Sequence, residues 1–405
     1  MQPVKLNISV KTFIFLILAI FSATSYGEIE LLGEASIEIR NFQNEGLFGQ
    51  EKNHSSFTFS PELYFESENG KDFFSIKPKF RKDAEDNERN LEDLQEFQWT
   101  HVGKNYETKI GIRKDFWGVT ETVHRVDILN QTDSVDGFDG EDKLGQPMIN
   151  LSLEREWGVL DLYALIGSRE RTFAGEKGRL RTPFIVDTHN PMYESNEEEN
   201  RIDFAVRWNH YFNDLELAIS HFSGTTREPL LIPTPEGNSI KLLPKYDLID
   251  QTGLEALYII EGWVLKLEAI TRSGQDDRFT ALTTGFEYTQ TGIFDTSLDL
   301  GWIIELNHDD REDHSPHAIG TRFSFNDIDD SQLLLGVLWN ESTGETNVFI
   351  EGSKRIGART KLSIEGVIFN GGKKVERNNF DFNNVNPLDF LQEEDFLRME
   401  LTIFL

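Results

Sequence analysis

Three features of the sequence predict an all-β chain closed into an antiparallel transmembrane β-barrel of about 18 strands, with 16 as the alternative count. Apolar side chains recur at every second position after residue 27, short and long connections alternate, and an alternating segment runs to the last residue. A side-chain period of two marks a strand with one apolar and one polar face.

The first alternating segment sets Ile29, Leu31, Gly33, Ala35, Ile37 and Ile39 against Glu30, Glu34, Ser36, Glu38 and Arg40. The next two place Phe57, Phe59, Pro61, Leu63 and Phe65, then Phe74, Ile76, Pro78 and Phe80, on the apolar face. Prolines 61 and 78 therefore fall inside strands, where a missing N–H interrupts the ladder and a bulge is expected. Ile202, Phe204, Val206 and Trp208 repeat the pattern, as do Leu298, Leu300, Trp302 and Ile304, and Leu362, Ile364, Gly366 and Ile368. In the final segment Leu397, Met399, Leu401, Ile403 and Leu405 alternate with Arg398, Glu400 and Thr402. No following residue can cover that apolar face, which points to lipid. A soluble sandwich or propeller would need the apolar faces to meet one another, and no period of roughly 40 to 50 residues with shared motifs is present.

The last strand resembles the closing strand of Gram-negative outer-membrane β-barrels, in which alternating apolar residues lead to a C-terminal aromatic. Here the aromatic is Phe404, followed by Leu405. The other end agrees: Lys5 and Lys11 precede the apolar run 12–21, and Ser25-Tyr26-Gly27 offers small residues for cleavage. Residues 1–27 are read as a cleaved signal peptide and 28–405 as the barrel. The apolar run is about half the roughly 20 residues a membrane-spanning helix needs. The resemblance implies short periplasmic turns and longer extracellular loops. Turns are expected at 68–70, 102–104, 156–158, 213–214, 261–262, 291–292, 326–330 and 356–357. The expected outer loops are 42–53, 83–90, 116–146, 168–198, 224–248, 272–278, 307–315, 341–344 and 370–393.

Composition bounds the function. Acidic residues number 70 against 40 basic, a net charge of −30, which opposes nucleic-acid binding through bulk charge. The surplus suits a surface bathed in divalent cations. There is no cysteine, which excludes disulfides, thiol chemistry and a lipid anchor on cysteine. Mean hydropathy is −0.43, a value that alternating strands produce by cancellation. Phenylalanine is abundant at 31 residues, as aromatic girdles at the two lipid interfaces require.

Residues 116–146 carry the strongest candidate site. Asp127, Asp133, Asp136, Asp139, Glu141 and Asp142 crowd the second half, while Val119, Val123, Val126, Ile128 and Leu129 are apolar beyond what an exposed loop favours. In the general porins that the chain resembles, the connection after the fifth strand folds into the lumen and narrows the pore. The resemblance implies the same here; the alternative is a surface loop that binds divalent cations between lipopolysaccharide molecules. Alternation places Lys77, Lys79 and Arg81, Lys109 and Arg113, and Arg207 on the lumen face. A basic wall opposite an acidic loop would set a transverse field across a constriction, or these cations would pair with lumen carboxylates such as Glu62, Glu96 and Glu154.

Residues 308–317 collect His308, Asp309, Asp310, Asp313, His314 and His317 in an outer loop and are read as solvated acid rather than a metal site. Ser220-His221 and Asn53-His54-Ser55 are the nearest approaches to a nucleophile–base grouping, and neither has a third partner. No enzyme activity, cofactor or metal is expected. The reading is a porin-like channel in the cell outer membrane for passive diffusion of small hydrophilic solutes. The alternatives are a structural or adhesive surface barrel, or an export barrel for an anionic polysaccharide, which would want a more basic lumen. Implied partners are outer-membrane lipid and lipopolysaccharide, the solutes, and the barrel assembly machinery, with no nucleic acid; a homo-oligomer is compatible.

Overall fold

A computed structural model describes residues 27–137, 139–237, 239–311, 315–341, 343–371 and 390–405. Strands β1 (Gly27–Phe42), β2 (Asn53–Ser67), β3 (Asp72–Asp83), β4 (Leu91–Val102), β5 (Tyr106–Arg113), β6 (Gln146–Arg155) and β7 (Gly158–Ile166) begin the wall. After the two-residue β8 (Met192–Tyr193) come β9 (Ile202–Phe212) and β10 (Leu215–Thr225). The pair β11 (Leu230–Glu236) and β12 (Ser239–Tyr246) precedes β13 (Leu248–Ile260), β14 (Trp263–Ser273), β15 (Phe279–Gln290) and β16 (Asp299–Asp309). The chain ends with β17 (His317–Ser324), β18 (Gln332–Trp339), β19 (Thr346–Arg355), β20 (Thr360–Asn370) and β21 (Phe396–Phe404).

Eighteen of these strands form one antiparallel sheet, each paired with the next in the wall, and β21 returns to β1 with Ile37 opposite Leu401. Closure leaves no edge, so every wall strand has a partner on each side. The predicted count and topology hold. Along β1, Ile37 and Ile39 are exposed while Ser36, Glu38 and Arg40 are buried, the reverse of a soluble sheet. The same division places Leu397, Met399, Leu401 and Ile403 outside and Arg398 inside. The apolar belt faces lipid and the polar set lines the interior.

Pro61 and Pro78 occupy matching heights on β2 and β3. Pairing runs from Ser56–Asp83 to Phe59–Phe80, stops, and resumes at Leu63–Ile76 in the same register. On the other flank of β3, pairing with β4 shifts between Lys77 and Pro78, leaving Gln95 as the extra residue of a bulge. The ladder is thus broken where neither residue could donate.

Short turns close one end of the barrel, and Asn213, Glu261 and Asn326 adopt the left-handed backbone that tight turns use. The turn expected at 291–292 is longer, extending to Leu298 through a 3-10 turn at Ile293–Asp295. The expected outer loop 224–248 is also corrected: most of it is the β11–β12 hairpin, which pairs with β8 in a separate three-stranded sheet. Prolines 233, 235 and 244 conceal the strand pattern there; the first two lie on β11, an edge strand, which tolerates them. Within the expected leader, residues 1–26 lie outside the described residues, and Gly27 opens β1.

Candidate functional site

The segment between β5 and β6 is tied at its base by Asn130, whose side chain donates to the carbonyls of Arg113 (2.9 Å) and Leu144 (2.8 Å). From there it reaches two parts of the wall that lie nearly opposite, β14 being eight strands from β3 in an eighteen-strand circuit.

At the β14–β16 wall, backbone donors meet inward-facing glutamates. Glu268 Oε1 accepts from the N–H groups of Val119 (2.7 Å) and Thr120 (2.9 Å) and from the Thr120 hydroxyl (2.6 Å), while Oε2 accepts from Val126 N–H (3.2 Å). Glu305 accepts from Glu121 N–H (2.6 Å), Thr122 N–H (2.9 Å) and the Thr122 hydroxyl (2.6 Å). Arg125 adds an ion pair to Asp309 at 3.0 Å. Bonds to a charged acceptor are the stronger kind, and each also satisfies a backbone donor that has left the sheet.

Between these anchors the apolar residues of the segment are covered. Trp117, Val126, Ile128 and Leu129 pack with Met148, Tyr163, Leu165, Phe222, Ile249, Ile270 and Phe279, drawn from six wall strands. This part of the interior is therefore a packed core rather than open water.

At the β1–β3 wall the acids of the segment meet the cations that alternation places on the lumen face. Arg81 bonds Asp133 (3.1 Å) and Asp136 (2.7 Å), Lys79 pairs with Asp136, and Arg40 donates to the Asp136 carbonyl. Arg89, from the β3–β4 connection, links Asp83 (2.8 Å) to Glu38 (2.8 Å), and Glu38 also holds Arg40 (3.1 Å) and Arg398 (2.7 Å). Burial alone would raise the Asp136 carboxyl, but Arg81, Lys79 and Arg89 outweigh it and hold the group well below the usual carboxylate range.

Acid and base thus touch, with no gap between them for a transverse field. The other residues singled out from the sequence sit apart from this contact. Lys77 pairs with Glu34 (3.5 Å), Lys109 with Glu107 (2.6 Å), Arg113 with Asp115, Arg207 with Glu255 (2.9 Å), and Asp127 with Lys143 (3.0 Å). These pairings replace the expected Glu62, Glu96 and Glu154. The 308–317 cluster lies partly outside the described residues, since 312–314 are not among them; His308 pairs with Asp310 at 3.0 Å on an exposed surface, whereas Asp309, expected to be solvated, is buried at the end of β16 and pairs with Arg125 and Arg311.

Asp139 and Glu141 turn the other way. With Glu121 they border a cavity of about 390 Å³ whose far side is formed by Arg322, Glu351, Lys361, Glu365, Arg398 and Glu400 of β17 and β19–β21. Burial, then the nearby charges of Glu141 and Glu365, push the Asp139 carboxyl up. Burial and the neighbouring Asp136 charge push Asp142 up to about 6. Glu141 moves down because His124 hydrogen-bonds it at 3.4 Å. Sequence reasoning did not identify Glu268, Glu305 or Glu351 as site residues. Their parity marks them as lumen-facing, but only the folded path of residues 116–146 shows which partners they meet.

No family model and no curated protein matches the chain. Among solved structures it is similar to OpdQ of Pseudomonas aeruginosa, with 12% identity, 94% of this chain and 98% of that one covered, and a TM-score of 0.50. It is also similar to a variant of the porin of Rh. blastica, with 11% identity over 93% of this chain and 100% of that one, and a TM-score of 0.43. Closure, strand count and inside-out burial, together with the OpdQ likeness, give this chain the porin-like outer-membrane β-barrel fold.

Proposed function

We propose that the protein is an outer-membrane channel for passive diffusion of small hydrophilic solutes, with residues 116–146 as its constriction. The observation that carries this reading is the polar cavity of about 390 Å³ left between that segment and the β17–β21 side of the wall. Its border holds six acids (Glu121, Asp139, Glu141, Glu351, Glu365 and Glu400) against three bases (Arg322, Lys361 and Arg398). Charge acts on a solute only over about 8 Å at physiological salt, so a narrow passage is where such an imbalance is felt. Rings of acid favour cations. The channel is therefore read as admitting cationic and neutral solutes ahead of anions. Planar-bilayer recording tests this: purified protein should insert as discrete conductance steps, and a barrel plugged by its own side chains would give none.

A further inference from the structure

His54, Asp83 and Glu85 form a cluster that diffusion through the barrel does not use. Ser56 faces Asp83 across β2 and β3, and Ala84 N–H donates to the Ser55 carbonyl at 3.0 Å, so the ladder continues past the last paired residues. The next step of that ladder sets His54 opposite Glu85, with Asp83 on the same face. One ligand atom from each of the three lies within 4.8 Å of the other two.

Each group is held before any ion arrives. Asp83 Oδ1 accepts from the N–H groups of Glu85 (3.0 Å) and Asp86 (2.8 Å), and Oδ2 accepts from Arg89 (2.8 Å). Glu85 Oε2 accepts from Ser55 N–H at 3.0 Å. His54 is 5% exposed, hydrogen-bonds the Glu51 backbone, and packs edge-on against Phe42 with ring centroids 5.7 Å apart. Its Nε2 is buried and has no hydrogen-bond partner among the described residues. A ring nitrogen of His54 lies near both carboxylates, and leaving the buried Nε2 unpaired is unfavourable, which ligation would relieve. A histidine that uses its other nitrogen on a backbone carbonyl is in the arrangement metal ligands adopt.

We propose that His54 Nε2, with one oxygen each from Asp83 and Glu85, binds a divalent transition-metal ion of the zinc type, water taking the remaining position. Imidazole with carboxylates suits zinc, cobalt or nickel, whereas calcium and magnesium prefer oxygen alone. Arg179 also faces His54, but its guanidinium is engaged by Glu394 (2.8 Å) and by the carbonyls of Asn44 (3.0 Å) and Glu51 (2.9 Å). Arg89 is likewise shared between Asp83 and Glu38. The bound ion would join the start of β2 to the end of β3 and the turn that follows it.

The test uses full-length protein in detergent, stripped with a chelator and titrated with Co²⁺, read by visible absorption and calorimetry. One tight equivalent is expected, undisturbed by excess Mg²⁺, with affinity falling in His54→Ala and in Glu85→Gln by more than the roughly 10- to 100-fold that loss of an outer-shell partner costs. His308→Ala should bind as the parent does. Circular dichroism identifies folded variants; should His54→Ala not fold, Glu85→Gln decides. Absence of tight Co²⁺ binding by the parent protein, or parent-like binding by the folded cluster variants, overturns the proposal.

Discussion

The two sides of this lumen carry charged residues to different ends. On the β1–β3 side, Lys79 and Arg81 are consumed by Asp133 and Asp136, and largely buried side chains form an ion-pair network. On the β17–β21 side, Arg322, Lys361 and Arg398 share a cavity with twice as many acids. In the proposed function, one side acts as a weld and the other as the passage. Lumen charge therefore cannot be summed to predict selectivity, because ion pairs on both sides, Arg398 with Glu38 and Glu365 among them, already compensate part of it.

The largest expected difference between the sides is in stability. Replacing Asp133 and Asp136 together by Asn leaves Arg81 buried and unpaired and should cost about 3–5 kcal/mol. Glu351→Gln, at an exposed position on the passage side, should change stability by less than about 0.5 kcal/mol. Urea unfolding in lipid vesicles measures both, and equal costs would remove the distinction. Next comes the far anchor, where Glu268→Gln weakens four hydrogen bonds to residues 119–126 and should cost about 1.5–3 kcal/mol in the same assay.

Deleting residues 133–142 detaches the segment from the weld and removes Asp139 and Glu141 from the passage, so single-channel conductance should rise while cation preference falls. An unchanged conductance would mean that the passage runs elsewhere. The smallest effect is on pH dependence. Asp142, raised to about 6 by burial and by Asp136, is charged above that pH and neutral below it. Asp142 does not border the cavity, but its charge is felt at Asp139, which does; cation preference should therefore weaken slightly as pH falls through about 6, and Asp142→Asn should flatten that step. A step that persists in the variant would assign it to another group.

Much of the barrel was legible because alternation is written into single strands. A period of two separates Ile37 from Glu38 with no knowledge of neighbours, and the turn residues at Asn213 or Gly357 mark where each strand stops. The β11–β12 hairpin was not legible, since three prolines mask its period. The acidic segment was set against Lys79 and Arg81, but across a gap rather than in direct contact. Whether Lys79 faces open water or Asp136 depends on where residues 116–146 lie, and that follows from anchors 142 to 184 residues away at Glu268 and Glu305. The prolines at 61 and 78 called for a bulge in the sequence, and the interrupted pairing and the register shift around them supply it.

The central claim is that the open passage follows the acid-rich side beside β17–β21 while the basic side is closed by residues 116–146. Reversal potential in a KCl gradient across a planar bilayer tests it most directly, comparing the parent protein with the Asp139→Asn, Glu141→Gln double variant. The parent should prefer cations, and its reversal potential should move toward zero in the double variant. An anion-preferring parent, or a preference indifferent to both substitutions, would contradict it.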